Sequence, residues 1–223
     1  MSDPFAETDR GALDWPWQEY GRSAGGAPLR LWLPEGRPPA ALVFAAIHGN
    51  EPETTVALSA ALRAVPPAAL RCAVVLCANP DGASLGLRGN ARGVDLNRNF
   101  PTRNWGPPLP GELSTGSAPA SEPETQALIA LLDRLRPEVV LSLHSDLACV
   151  DDPGPSPLGR LLAARSGLPL VPDVGYPTPG SFGTYCGERR LPVVTLELER
   201  LGTQDLRRRW GPLLAEVLRG AGV

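Results

Sequence analysis

Short apolar runs, separated by prolines and glycines, form the main pattern along the chain. Four of them are typical of buried strands: Ala41–Ile47, Cys72–Ala78, Val139–Leu143 and Val193–Leu198. Between these runs, apolar residues that recur near the helical period predict four helices: Pro52–Val65, Thr125–Leu135, Ser156–Arg165 and Gln204–Leu218. The first strand, first helix and second strand together predict a parallel pair joined by a right-handed crossover.

The alternation of strands and helices indicates the fold class. It predicts a single-domain α/β fold in which a mixed, mostly parallel β-sheet is flanked by helices on both faces, giving three α/β/α layers. A chain of 223 residues, of which 43% are hydrophobic, can bury one full core. We therefore expect one domain over residues 1–223, with residues 1–19 as a poorly ordered N-terminal segment.

Two segments outside the strands carry local signals. Asn79–Ala120 is long, rich in glycine and proline and weakly periodic, and such segments in compact domains are usually functional. Directly after it, Ser121 and Glu124 have the spacing of a capping box, which predicts that Ser121 caps the following helix.

Two residue counts exclude whole classes of enzyme. All 21 basic residues are arginines, so the chain has no lysine for a Schiff base, a Ser–Lys dyad or a lysine-containing phosphate-binding loop. The chain has only two histidines, His48 and His144. A site that uses both as ligands leaves no histidine to act as a general base.

Charge and cysteine content limit the partners and the compartment. A net charge of −3 gives no reason to expect nucleic acid or an anionic membrane as a partner. The first residues lack a signal-peptide pattern and no apolar run reaches the roughly 18 residues of a membrane span, so we expect a cytoplasmic protein. The four cysteines form no C-x-x-C pair, which favours reduced thiols, although a Cys149–Cys186 pairing stays open.

Both histidines lie where predicted strands end. His48 follows the first strand, with Glu51 three residues later at the start of a helix, and His144 follows the third strand. Because the carboxyl ends of parallel strands meet at one edge of a sheet, these three side chains are expected to lie together. Two histidines and one glutamate form a three-ligand zinc site with an open position for water. An isolated turn histidine and a histidine satisfied in the core are the structural alternatives.

The last predicted strand carries two acids on one face. Alternation along Thr195–Glu199 places Glu197 and Glu199 together, opposite the leucines. A glutamate beside the zinc site would be suited to act as a general base, and at least one of the two acids is expected to be simply solvated.

A cationic segment lies inside the long loop. Gly86–Arg103 has four arginines against the single acid Asp95, in a chain whose net charge is negative. Arginine binds carboxylates and phosphates through a rigid pair of donors, so the segment favours a small anionic substrate. A solvated run of charge is the alternative.

With these motifs in place, the chain resembles the zinc carboxypeptidases related to carboxypeptidase A. The resemblance rests on five segments in a fixed order: His48–Glu51, Asn79–Gly82, Arg88–Pro101, His144 and Thr195–Leu198. Within the third segment, G-V-D-L-N-R-N-F is specific to this family. The likeness covers most of the chain, from about Tyr20 to Glu199.

The resemblance implies a role for each matching residue. One zinc ion per chain would be bound by His48, Glu51 and His144. Glu197 would be the general base and acid, and Arg88 would stabilise the oxyanion. The remaining implied roles are Asp95 as a partner that orients one zinc-bound imidazole, Asn97 and Arg98 as ligands of the substrate carboxylate, and Tyr176 as a substrate-capping tyrosine.

Three segments, which partly overlap those above, resemble more narrowly the amidases of murein peptides: Arg71–Pro101, Ser121–Leu128 and Gly175–Gly183. This implies murein tripeptide as substrate, cleaved between γ-D-glutamate and meso-diaminopimelate during cell-wall recycling. Ser145 and Asp146 after the second histidine depart from the pattern, so which of them faces substrate stays open. The alternatives are a zinc deacylase of the succinylglutamate desuccinylase or aspartoacylase type and a metal-free binding module for anionic peptides. The sequence does not predict an oligomeric state.

Overall fold

The computed structural model describes residues 13 and 15–223. Its strands are β1 (Gln18–Arg22), β2 (Pro28–Leu31), β3 (Ala41–Phe44), β4 (Cys72–Val75), β5 (Val139–Ser145), β6 (Cys149–Asp151), β7 (Leu170–Val171) and β8 (Val193–Leu198). Its helices are α1 (Pro52–Arg63), α2 (Pro80–Leu85), α3 (Pro123–Leu135), α4 (Pro157–Ser166), α5 (Phe182–Glu188) and α6 (Thr203–Leu218).

Six strands form the central sheet in the order β4-β3-β5-β8-β6-β7, and β1 and β2 form a separate hairpin. The pairs β4–β3, β3–β5, β5–β8 and β6–β7 are parallel, whereas β6 runs antiparallel to β8. The prediction of a mixed, mostly parallel sheet is confirmed, as is the parallel pairing of the first two predicted strands.

Two hydrophobic clusters cover the two faces of this sheet. On one face, α1, α4 and α6 pack against the strands around the fully buried Trp210. On the other, α3 and α5 pack around Phe44, Phe100 and Phe182, whose rings meet edge to face. The three-layer α/β/α arrangement predicted from the sequence is therefore confirmed.

The first two predicted strands, which correspond to β3 and β4, are shorter in the structure than in the prediction. The backbone leaves the regular pattern of sheet hydrogen bonds at their carboxyl ends. β3 ends at Phe44 and the backbone of Ala46 has a positive φ of 52°, so the following residues curve away from the sheet. The two segments still bond to each other, since the Ala78 amide donates to the Ala45 carbonyl. This bend aims the residues after β3 across the end of the sheet.

The long segment 79–120 contains one helix that the sequence analysis did not predict. In α2, the Asn79 side chain accepts a hydrogen bond from the Gly82 amide, and Gly86 closes the helix in the left-handed region. Gly82 has no room for a side chain, because a Cβ there would lie 2.4 Å from the Gly89 carbonyl oxygen. The helix therefore packs tightly against the arginine-rich loop, which is the cationic segment Gly86–Arg103.

The predicted capping box at Ser121 is wrong. Helix α3 begins at Pro123 with Glu122 as its N-cap, and the Ser121 hydroxyl donates to the Glu122 carboxylate instead. The Glu124 carboxylate accepts hydrogen bonds from the Ala24 amide and from Asn90 Nδ2. Contacts with distant segments thus replace the local bonds that the spacing suggested.

The remaining sequence predictions concern the N-terminus, the cysteines and the membrane. Residues 1–12 and 14 of the proposed N-terminal segment lie outside the described residues, and β1 begins inside that segment at Gln18. All four cysteines are free thiols, as expected, so Cys149 and Cys186 are not paired. Within residues 13 and 15–223, no helix has both the length and the apolar character needed to cross a membrane.

Candidate active site

Three buried side chains from different elements converge at the carboxyl edge of the sheet. His48 lies in the turn after β3, Glu51 directly precedes α1, and His144 lies near the end of β5. The Glu51 carboxylate joins them, with Oε1 at 2.6 Å from His48 Nδ1 and Oε2 at 3.2 Å from His144 Nδ1. The two imidazole rings meet edge to face, with centroids 4.8 Å apart.

This cluster fits a divalent metal such as zinc. The three residues can each offer one ligand atom, and these atoms all lie within 4.8 Å of one another. Burial alone would raise the pKa of Glu51, but His144 and His48 lower it to about 2. A buried, ionised carboxylate flanked by two imidazole nitrogens is a typical donor set for zinc.

Asp95 lies behind the cluster. Its Oδ1 is 3.3 Å from His48 Nε2, on the side of the ring that faces away from Glu51, and it accepts a hydrogen bond from the Asn97 amide. Burial alone would lower the pKa of His48, but the neighbouring carboxylates of Asp95 and Glu51 raise it overall. Glu51 thus holds Nδ1 of His48 towards the cluster, and Asp95 lies beside Nε2.

Arg88 connects Asp95 to the cavity. Its Nε donates to Asp95 Oδ2 at 2.8 Å, and its Nη1 lies 3.7 Å from Glu51 Oε1. The Arg88 side chain is 37% exposed while the Asp95 side chain is 6% exposed, so the guanidinium points from a buried anchor towards the cavity. This geometry suits a fixed donor for an oxygen that gains negative charge.

Glu197 lies beside the cluster on the neighbouring strand. It pairs directly with His144 in the parallel register of β5 and β8, and its Oε2 accepts a hydrogen bond from the Leu147 amide at 3.5 Å. Glu197 is 6% exposed, and this burial raises its pKa above the usual value for a glutamate. Glu199 follows the end of β8 and pairs with Arg209 outside the cavity. Only the first of the two acids therefore lies in the site.

Asn97 and Arg98 lie in a short 3-10 turn of the arginine-rich loop. Asn97 Oδ1 accepts a hydrogen bond from the Phe182 amide at 2.8 Å, which ties the loop to α5. Arg98 is 7% exposed and donates from Nη1 to the Asn97 carbonyl, while its Nε is buried without a partner among the described residues. A buried guanidinium with an unused donor is suited to bind an anionic group.

A cavity of about 570 Å³ holds the predicted site residues together. Its lining includes His48, Glu51, Arg88, Asn97, Arg98, His144, Tyr176 and Glu197. Tyr176 is 51% exposed, and burial together with Glu197 raises the pKa of its phenol. Asp95 is not in the lining and reaches the cavity only through His48 and Arg88.

The arginine-rich loop sends only part of its charge into the cavity. Arg88 and Arg98 belong to the lining, whereas Arg92 and Arg103 do not. Arg92 lies 3.5 Å from the buried Glu122, and the backbone amide of Arg103 donates a hydrogen bond to the Glu188 carboxylate. Two of the four arginines in the predicted cationic segment therefore lie in the cavity and two lie outside it.

Sequence reasoning missed several cavity residues: Ser142, Asp151, Asp173 and Thr195. A signal existed for Ser142 and Thr195, since each lies two residues before a predicted site residue and alternate residues of a strand share a face. After His144, Ser145 lies near Glu51 and Glu53, and Asp146 pairs with Arg200. Both also belong to the lining of the cavity.

Comparison with known proteins places this site in context. Residues 68–150 match the family model described as zinc carboxypeptidase. The chain is 45% identical to murein peptide amidase A of Escherichia coli strain K12, covering 98% of this chain and 95% of that protein. It is 43% identical to murein peptide amidase A of Vibrio campbellii, covering 86% of this chain and 82% of that protein.

Solved structures agree with these matches. The crystal structure of murein-tripeptide amidase from Escherichia coli O157 superposes with a TM-score of 0.88 at 44% identity, over 94% of each chain. Thrombin-activatable fibrinolysis inhibitor superposes with a TM-score of 0.75 at 19% identity, over 92% of this chain and 67% of that one. The second match shows a shared fold.

Proposed function

The chain belongs to the murein peptide amidase A group of the zinc carboxypeptidase family, and we propose that it hydrolyses the amide between γ-D-glutamate and meso-diaminopimelate in murein tripeptide. One observation carries this proposal: a single cavity contains a zinc-type donor cluster, a buried glutamate beside it and two arginines. We also propose the cytoplasm as the compartment of this reaction.

The metal centre of the proposed enzyme would hold one zinc ion per chain on His48, Glu51 and His144. When bound, zinc supplies a Lewis acid that polarises a carbonyl and lowers the pKa of water. Asp95 lies 3.3 Å from Nε2 of His48, where it would orient the ring with its Nδ1 towards the cluster. This positioning role is typical of carboxylates behind metal-ligating histidines.

Proton transfer is assigned to Glu197. Its carboxylate would accept a proton from the attacking water and then pass that proton to the leaving amine. Burial raises the pKa of Glu197, which brings its basicity closer to that of a proton carrier at neutral pH. The two histidines would both be ligands, so no histidine is left for this task. No covalent intermediate is needed.

Stabilisation of the developing charge is assigned to Arg88. The guanidinium is held by Asp95 on one side and extends into the cavity on the other, so it would donate to the carbonyl oxygen of the cleaved amide. A donor that is already oriented costs little reorganisation when the oxygen becomes negative.

Substrate binding is assigned to the neighbouring loop and to Tyr176. Arg98 and Asn97 would hold the carboxylate next to the cleaved amide, and their place in the cavity lining supports that assignment. Tyr176 lies at an exposed position of the cavity lining, where its ring would cover bound substrate.

An assay of two substrate classes tests the proposed function. The purified zinc-loaded protein should release free diaminopimelate from murein tripeptide, and it should leave N-acetylaspartate and N-succinylglutamate intact. Hydrolysis of the N-acyl amino acids alone would overturn the proposal in favour of a zinc deacylase. Amine release can be followed by chromatography after derivatisation, so both classes are read by the same measurement.

A further inference from the structure

One buried side chain connects the two loops that carry proposed catalytic groups. Asn79 is fully buried and lies between β4 and α2, outside the cavity lining. Its Nδ2 donates to the carbonyl of Ile47, the residue before the proposed zinc ligand His48, and to the carbonyl of Arg88, at 3.3 Å in each case. A primary amide has two N–H donors, so it can serve both carbonyls at once. We call this pair of hydrogen bonds the Asn79 bridge.

The backbone beside the Asn79 bridge adds further contacts between the two loops. The Gly49 amide donates to the same Arg88 carbonyl at 3.3 Å. Gly49 also packs directly against α2, because a Cβ there would lie 2.1 Å from the Gly82 carbonyl carbon. The turn that carries His48 and the loop that carries Arg88 are therefore packed together around Asn79.

The side-chain amide of Asn79 has a fixed orientation and two separate tasks. Its Oδ1 accepts a hydrogen bond from the Gly82 amide at 3.0 Å, which caps α2, and this leaves Nδ2 for the two carbonyls. The cap needs only an acceptor, so an aspartate can make it as well. An aspartate cannot donate to the carbonyls of Ile47 and Arg88, because an ionised carboxylate has no donor. The cap and the bridge can therefore be separated by mutation.

From these contacts we infer that Asn79 is a positioning residue for amide hydrolysis, an inference that rests on the proposed function. It acts through Arg88, whose side chain is held at Nε by Asp95 and whose backbone is held by the Asn79 bridge. Nη1 of Arg88 lies 3.7 Å from Glu51 Oε1. The bridge thus sets the position of the guanidinium relative to the metal cluster. A displacement of about 1 Å in such a group can lower the rate by roughly a hundredfold.

The first test removes the bridge and keeps the cap. In Asn79→Asp, which preserves the size of the side chain, kcat for murein tripeptide should fall by roughly ten- to a hundredfold with a smaller change in KM. Arg88 acts on charge that develops only during the reaction, so its displacement affects kcat most. Asn79→Ser also keeps a capping oxygen and introduces no charge, and it replaces the aspartate variant if that variant does not fold. Unchanged kcat in the folded variant overturns the inference.

Asp81→Asn is the matched control, in the first turn of the same helix. The Asp81 carboxylate accepts hydrogen bonds from the Ser23 hydroxyl and the Gly25 amide, so this variant weakens the attachment of α2 to the turn between β1 and β2. The Asn79 bridge stays in place, and kcat should remain near the wild-type value. A loss as large as that in Asn79→Asp would overturn the inference, because it would show that loosening α2 is sufficient to lower kcat.

A double-mutant cycle tests whether Asn79 acts through Arg88. In the Arg88→Met background, Asn79→Asp should lower kcat by less than about twofold, because the group that the bridge positions is already gone. Two independent effects would instead multiply, so Asn79→Asp would cause the same fold loss in both backgrounds. Equal losses in the two backgrounds overturn the inference. A general structural role of Asn79 would give that result.

Crystal structures of the wild type and of Asn79→Asp separate this inference from the proposed function. If the wild type does not cleave murein tripeptide, the proposed function fails, but the position of Arg88 can still be compared between the two structures. The expected result is a displacement of the Arg88 guanidinium relative to His48 and Glu51 by more than about 0.5 Å, the tolerance of a catalytic arrangement. A guanidinium that stays in place overturns the inference.

Discussion

Glu197 of β8 lies directly opposite His144 of β5, on the same face of two paired parallel strands. Directly opposite residues of paired strands bring their side chains within a few ångströms of each other. The sheet itself therefore fixes the distance between the proposed proton carrier and one of the proposed metal ligands. A rigid sheet holds such a pair more firmly than a loop can.

This relationship makes Glu197→Gln the most informative change at the proton-transfer position. We expect kcat/KM for murein tripeptide to fall by roughly 10²–10⁴-fold, because the amide cannot accept the proton. Zinc content should be unchanged, since the three proposed ligands remain. The control is Glu199→Gln, in which the lost carboxylate pairs with Arg209 outside the cavity and turnover should stay near normal. Near-normal turnover in Glu197→Gln would show that the base is assigned to the wrong residue.

Replacing Arg88 tests the stabilisation of the oxyanion. Arg88→Met should lower kcat by roughly 10²–10³-fold with a smaller effect on KM, because the donor acts on charge that develops only during the reaction. Arg92→Met is a matched control in the same loop, since Arg92 lies against Glu122 and does not line the cavity. Steady-state kinetics of both variants decide the point, and a pure KM effect in Arg88→Met would contradict the assignment.

Asp95→Asn tests the support behind the metal centre. If the asparagine keeps its oxygen towards the Asn97 amide and His48 Nε2, its amide nitrogen faces the Arg88 Nε donor. In the opposite orientation it can no longer accept from the Asn97 amide. We expect zinc affinity or activity to fall by roughly ten- to a hundredfold, as is typical when the partner of a ligating histidine is lost. Competition for zinc with a chromophoric chelator measures the change. A folded variant with the zinc affinity and activity of the wild type would show that Asp95 does not support the metal centre.

Asp151 should make stability depend on pH. Its pKa is raised to about 6 in the folded chain, so between about pH 4 and pH 6 the unfolded chain loses this proton first. The folded state therefore loses stability as pH rises through that range. Asp151→Asn removes the effect, and it should raise the free energy of unfolding by about 1 kcal/mol at pH 7.5 with little change near pH 4.

Urea denaturation of wild type and variant at the two pH values measures this difference. A variant that is less stable than wild type at pH 7.5 would contradict the raised pKa.

Much of the fold and the metal cluster could be predicted from the sequence, for a physical reason. Short apolar runs identify strands that are buried on both faces, and parallel strands bring their carboxyl ends to one edge. His48 and His144 each follow such a run, so their proximity could be inferred without coordinates. The alternation of Thr195–Glu199 likewise indicated the face that Glu197 occupies.

The place of Asp151 in the cavity lining could not be found in this way. β6 has only three residues, too few to show a period, and it pairs with a strand that begins more than 40 residues later. The orientation of the Arg92 side chain could not be predicted either, because its partner Glu122 lies in another part of the chain. Both features depend on long-range pairing, which local pattern does not encode.

The central claim is that one zinc ion per chain, held by His48, Glu51 and His144, is required for hydrolysis of murein tripeptide. The most direct test is a zinc titration of chelator-treated protein, with release of free diaminopimelate plotted against zinc bound per chain. The account predicts activity that rises linearly and stops at one zinc per chain, and no such rise in His144→Ala. Full diaminopimelate release by metal-free protein, or an undiminished rise in His144→Ala, would contradict it.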